Sequence, residues 1–162
     1  MRVKKICFTL MLALSFSMQG HWAVAASAKE KKMKNRLLEL VKEQRPMLAD
    51  NATTIWGLAE LGFLEYRSTA ILQERLRQAG FNVQADVAGM PTAFVASYRN
   101  GDGPVIGLLA EFDALGGLSQ DSVCVRQTGE NRPNGHGCGH NLIGSGAVAA
   151  AVALRKWMEE NG

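Results

Sequence analysis

Histidine and cysteine are scarce in this chain, three of each in 162 residues, and each scarcity narrows what the protein can be. Cys7 lies inside the N-terminal apolar run with no small-residue lipobox leading into it, which argues against a lipid anchor. That leaves Cys124 and Cys138, enough for one disulfide at most. The apolar run Ile6–Phe16 is too short to cross a bilayer, so a permanent transmembrane helix is not expected. An excess of one charge is missing as well. The formal charge of +3 equals the contribution of Arg2, Lys4 and Lys5, and the first 28 residues carry no acid, so the remainder is neutral. The basic pI is therefore no argument for nucleic acid. No internal repeat or low-complexity stretch is present.

What the N-terminus does have is a three-part export pattern: basic Arg2, Lys4 and Lys5, the apolar run, and the small-residue string Ala23-Val24-Ala25-Ala26-Ser27-Ala28. We read residues 1–28 as a secretory signal peptide, cleaved after Ala25 or Ala28, and expect a periplasmic or secreted product. Residues 29–162 suffice for one modest core, near the lower end for a catalytic α/β domain. The run Lys29-Glu30-Lys31-Lys32-Met33-Lys34 is the solvated face of a first helix, because Met33, Leu37, Leu38 and Val41 recur at helical spacing on its other side.

The periodicity predicts helices over about Lys31–Gln44 and Asn51–Leu61, the second capped by Asp50 or Asn51. A third, capped by Ser68 or Thr69, carries Ile71, Leu72, Leu76 and Ala79 on one face and closes at Gly80. Phe81–Val87 and Thr92–Arg99 read as strands. Asn100-Gly101-Asp102-Gly103 then turns the chain into a third strand, Pro104–Phe112. Val105–Ala110 is almost continuously apolar, as in a strand covered on both faces of an α/β sheet. Glu111 and Asp113 end it, where open α/β sheets bind ligands. A long loop over 113–140 follows, then a helix from Asn141 whose small residues suit close packing.

The densest signal is His136-Gly137-Cys138-Gly139-His140. Imidazole and thiolate are ligands that zinc prefers, and the intervening glycines let the backbone bend around an ion. In an extended stretch, positions 136, 138 and 140 face the same way. Standing at a helix N-terminus also favours the thiolate form of Cys138. Cys138 equally admits a second reading, a disulfide with Cys124, because an exported protein can be oxidised. Under that reading the chain is a non-catalytic exported module stapled by the bridge, or one holding a single structural metal.

Gly-Leu-Leu-Ala-Glu111-Phe-Asp113-Ala-Leu, Gly117-Leu-Ser-Gln and Asn134-Gly-His136-Gly-Cys138-Gly-His140-Asn141-Leu, in this order and spacing, resemble the dimetal amidohydrolases of the aminoacylase and carboxypeptidase type. Ile55-Trp56 through Glu60-Leu-Gly-Phe63-Leu-Glu65-Tyr66-Arg67-Ser68 also fits, so the likeness runs from about Met33 to Glu160. It implies the N-terminal part of a three-layer α/β zinc-peptidase-like catalytic domain over 29–162, before the family's dimerisation domain. It implies Cys138 and His140 as metal ligands, Asp113 as the catalytic residue that supports the metal site, and Glu111 and His136 as further ligands or as residues that orient one. Two ions, zinc or manganese, a dimeric enzyme and a small amide or peptide substrate are the family's properties. The substrate would be an amide of an amino-acid carboxylate, of the aminobenzoyl-glutamate or N-acyl amino acid type. Two positions depart from the pattern: Gly116 replaces the proline of Asp-Ala-Leu-Pro, and Cys124 stands where relatives tend to have proline. The family's paired glutamates and later metal-binding histidines have no counterpart here, so the chain alone is expected to be inactive.

Overall fold

A computed structural model describes residues 27–129 and 132–162; the leader expected over 1–28 lies, apart from its last two residues, outside them. The chain falls into two units, Met1–Met33 and Lys34–Gly162. In the first, the described residues open helix α1 (Ala28–Glu43). The Ser27 hydroxyl accepts from the Glu30 amide and the Glu30 carboxylate accepts from the Ser27 amide, a reciprocal capping box.

The second unit contains α2 (Arg45–Leu58), α3 (Tyr66–Gln78), a hairpin of β1 (Asn82–Ala85) and β2 (Phe94–Ser97), and α4 (His140–Asn161). Pro46 ends α1 as expected, but it also opens α2, because a missing N–H costs nothing in a helix's first turn. The expectation that Asp50 or Asn51 caps this helix is therefore corrected. Asn51 is fully buried within α2, where its Oδ1 accepts from Arg75 Nε at 3.1 Å, and Asp50 pairs with the same guanidinium at 2.6 Å. The capping of α3 by Ser68 or Thr69 is corrected too. The helix starts at Tyr66, and the Glu60 carboxylate, reaching in from the preceding turn, accepts from the amides of Arg67 (3.1 Å) and Ser68 (2.8 Å) and from the Ser68 hydroxyl (2.6 Å). An acid there also suits the helix dipole. Gly80, at φ +77°, closes α3 as the sequence predicts.

The strands pair antiparallel with Asn82 opposite Ser97 and Ala85 opposite Phe94. Ile55 of α2, Leu72 and Leu76 of α3, and Val148 and Val152 of α4 form the core, with Phe81, Val83, Phe94 and Phe112 packed against them. Each such aliphatic side chain contributes about 1.5–3 kcal/mol relative to exposure. This is an α/β arrangement of helices and a small sheet, as expected.

The third strand is the main correction. Residues 104–112 run without a ladder, and among the described residues the sheet has two strands only. Val105 is 98% and Leu109 92% exposed. An apolar run registers a need for cover on both faces, but it supplies neither the strands that would pair its edges nor the helices that would cover its faces, and among the described residues β1 and β2 pair only with each other.

The small residues of α4 do what their size suggests. A Cβ on Gly144 would lie 2.9 Å from Phe112 Cβ and 3.1 Å from the Glu111 carbonyl oxygen, whereas one on Gly146 would meet nothing. Gly144→Ala is therefore expected to push Glu111 and Phe112 off the helix and lower stability by about 1–3 kcal/mol. Gly146→Ala should raise stability slightly through helix propensity. Thermal melts of the two variants check the opposite signs.

Candidate active site

Three segments meet at the N-terminus of α4. The Ala114 amide donates to the Glu60 carbonyl at 2.7 Å, within a parallel bridge between Leu61 and Ala114. Leu115 and Gly135 exchange bonds of 2.9 and 3.1 Å across an antiparallel bridge. Gly135 is required there: a Cβ would stand 2.0 Å from the Leu118 carbonyl oxygen. Two further devices fasten this frame to α2. Asn141 donates from Nδ2 to the Ala52 carbonyl at 3.0 Å. Arg132 stacks 3.9 Å over the Trp56 ring and donates to the carbonyls of Trp56 and Gln120, both at 3.0 Å. The turn from 59 to 65 is tense, since Ala59 (φ +43°) and Phe63 (φ +64°) occupy left-handed backbone without being glycine.

This frame brings His140, Asp113 and Glu111 together. His140, its side chain 18% exposed, donates from Nδ1 to Asp113 Oδ1 at 2.7 Å, and its Nε2 lies 3.1 Å from Glu111 Oε2. Asp113 is partly covered, while Glu111 reaches solvent. A carboxylate on one imidazole nitrogen fixes the ring and aims the other nitrogen, the way metal-binding histidines are commonly oriented.

His136 lies behind this group. Its Nε2 donates to the Ile55 carbonyl at 3.1 Å, which leaves the buried Nδ1 with no hydrogen-bond partner among the described residues. Burial lowers the His136 pKa, assisted by His140 and opposed by the Ile55 and Asp113 carbonyls and the Asp113 charge. The sign follows from the neutral form being the one that fits the fold. The stabilisation is complete above the ordinary histidine value of about 6.5 and is lost as pH falls through the lowered one. His136→Gln, which keeps a donor for Ile55 but does not titrate, should flatten the fall in melting temperature between neutral pH and about pH 5.

Cys138 is exposed and so is Cys124; both are free thiols. The disulfide is thus not formed, and the structure does not bring Cys138 up to His140 as a third donor. Among the described residues no three His, Cys, Asp or Glu side chains converge closely enough to hold an ion. The residues fit one corner of a metal site, a histidine nitrogen with its orienting carboxylate and an acid facing it, and stop short of a closed ligand set. Sequence reasoning missed Glu65, which is 8% exposed and has one carboxylate oxygen with no partner among the described residues. A lone glutamate in a turn gives no sign of burial.

The frame thus clamps a histidine between two carboxylates at a helix N-terminus. No protein-family profile matches it. It is 45% identical over 125 residues to one p-aminobenzoyl-glutamate hydrolase subunit of Escherichia coli (strain K12), an alignment covering 76% of the chain and 26% of that protein. It is 31% identical over 145 residues to Xaa-Arg dipeptidase of Mus musculus, covering 83% and 30%. It is 31% identical over 117 residues to thermostable carboxypeptidase 2 of Saccharolobus solfataricus, covering 72% and 29%. The chain belongs to the amidohydrolase and peptidase family of these proteins, and spans between 26% and 30% of their length.

Proposed function

We propose that this chain forms the histidine–carboxylate corner of an exported, metal-dependent amidohydrolase that releases an amino-acid carboxylate from an amide. The observation that carries the reading is His140 held by Asp113 on one nitrogen and faced by Glu111 on the other. The substrate class is aminobenzoyl-glutamate or an N-acyl amino acid, and the 45% identity to a protein named for aminobenzoyl-glutamate hydrolysis supports the first. Cys138 and His140 would hold the ion, zinc or manganese, one of two in the complete dimeric enzyme. A bound divalent ion supplies Lewis-acid polarisation of the scissile carbonyl. Asp113 keeps the His140 ring in one orientation and one tautomer, and the exposed Glu111 carboxylate guards the open side of the ring.

The reading predicts glutamate release from p-aminobenzoyl-glutamate by a polypeptide in which this chain is joined to the remaining length of the E. coli relative. His140→Ala should abolish it. Persistence of full activity in His140→Ala would remove the site from this reaction. Neither nucleic acid nor a stable membrane anchor enters the proposal, and among the described residues no helix is long and apolar enough to cross a membrane. Export rests on the leader pattern alone. N-terminal sequencing of the periplasmic or secreted fraction is expected to return a start at Ala26 or Lys29; a cytoplasmic protein beginning at Met1 would reject it.

A further inference from the structure

Asp113 has two carboxylate oxygens and spends only Oδ1 on His140. Its Oδ2 lies 3.8 Å from the point where a Gly62 side chain would begin, and Glu65 Oε1 lies 3.9 Å from the same point. Two carboxylates from different segments thus face one notch over a residue without a side chain. Glu65 is 92% buried, being 8% exposed, and its Oε2 has no hydrogen-bond partner among the described residues. It stands at the N-cap of α3. Burying a carboxylate is costly without a donor, and two carboxylates repel unless a donor lies between them. A water between Asp113 Oδ2 and Glu65 Oε1 can donate to each, since it carries two O–H groups, and it leaves Oε2 as the other, unpartnered oxygen of Glu65.

We infer that Glu65 is a positioning residue for the Asp113–His140 pair, acting through one shared water held over Gly62. The inference rests on the proposed function only in taking that pair as the working corner of the site. Glu65 holds the Oδ2 side of Asp113, the bond to His140 holds the Oδ1 side, and the carboxylate plane is fixed between them. Gly62 is part of the device because its missing side chain leaves room for the bridge. Its φ lies outside the left-handed region and both contacts are at ordinary van der Waals distance, so alanine fits the backbone and fills the notch.

Long-range proton–nitrogen NMR spectra of the full chain at neutral pH test this, with the three histidines assigned through His→Gln variants and folding followed by circular dichroism. The wild type is expected to show a protected His140 Nδ1–H. Glu65→Leu and Gly62→Ala should each lose that signal while keeping helix content, and Glu65→Gln, which retains a polar group at the notch, should restore it. An unchanged His140 signal in folded Gly62→Ala and Glu65→Leu overturns the inference. The control is Asp113→Asn. If it loses the signal while the other two keep it, only the role of Glu65 falls; if it too leaves His140 unchanged, the pairing behind the proposed function falls as well.

Discussion

Zinc or manganese is expected to bind the 162-residue chain weakly, and His140→Ala should remove most of that binding. The weakness follows from the donor count: His140 Nε2 and Glu111 face each other, Cys138 is exposed nearby in sequence, and no three donors converge among the described residues. A tetrahedral zinc site ordinarily takes three or four protein ligands. Cys138→Ala should lose binding as His140→Ala does, because a thiolate is the strongest zinc donor the loop offers. Asp113→Asn should cost about 10–100-fold in affinity without touching the ion, the usual effect of removing the carboxylate that orients a ligating histidine. Cys124→Ala should change almost nothing. Isothermal titration of the four variants decides the matter. Equal loss from Cys124→Ala and Cys138→Ala would mean that the two cysteines work as a pair, and would revive the stapled module in place of the metal site.

How much of this was legible from the residues depends on whether the information was local. The face of α3 and its close at Gly80 were readable because a 3.6-residue apolar period and a left-handed glycine are written within a dozen positions. The two strands of the hairpin were readable for the same reason, with their ends trimmed, but the turn signal at Asn100–Gly103 pointed to a pairing with residues 104–112 that does not form. The caps were misplaced because the group that satisfies the first amides of α3 is the Glu60 side chain, eight residues before Ser68. Nothing in the local string separates that solution from a serine cap. Val105–Ala110 was misjudged in its surroundings, since apolarity cannot supply neighbouring strands. The site divides along the same line. Asp113 and Glu111 are readable from the acids that end an apolar run and His140 from the histidine–cysteine cluster, and the three do meet. Cys138, read from the same cluster, has an exposed thiol here. The hydrogen bond from His136 to the Ile55 carbonyl, 81 residues away in sequence, and the burial of Glu65 depend on long-range contacts that no periodicity encodes.

The 162-residue chain on its own is expected to give no metal-dependent release of glutamate from p-aminobenzoyl-glutamate or of amino acids from N-acyl substrates, even with excess zinc or manganese. Hydrolysis of an amide needs a base within hydrogen-bond reach of the attacking water and charge stabilisation at the developing oxyanion. Glu111 is the one exposed acid at the site, and it is engaged with His140 Nε2. Downstream of His140 the next acid is Glu159, near the far end of α4, where it accepts from Arg155 at 2.6 Å and from the Tyr98 hydroxyl at 3.1 Å. Removing one preorganised contributor to the oxyanion typically costs about 10²–10³ in rate, and here both the closed ligand set and a free base are wanting among the described residues, so the losses compound below detection. The exposed run Val105–Leu109 acts in the same direction, since an unpaired apolar segment leading directly into Glu111 and Asp113 holds both acids less firmly than a strand in a sheet would. The deciding comparison sets the short chain beside the fusion that adds the remaining length of the E. coli relative, under identical metal and substrate. Turnover by the fusion alone is the expected result. Comparable turnover by the short chain would place the base and the second half of the ligand set among residues 29–162, and Glu65 and Glu60, the two acids of the tense turn beside Asp113, would be the first to replace.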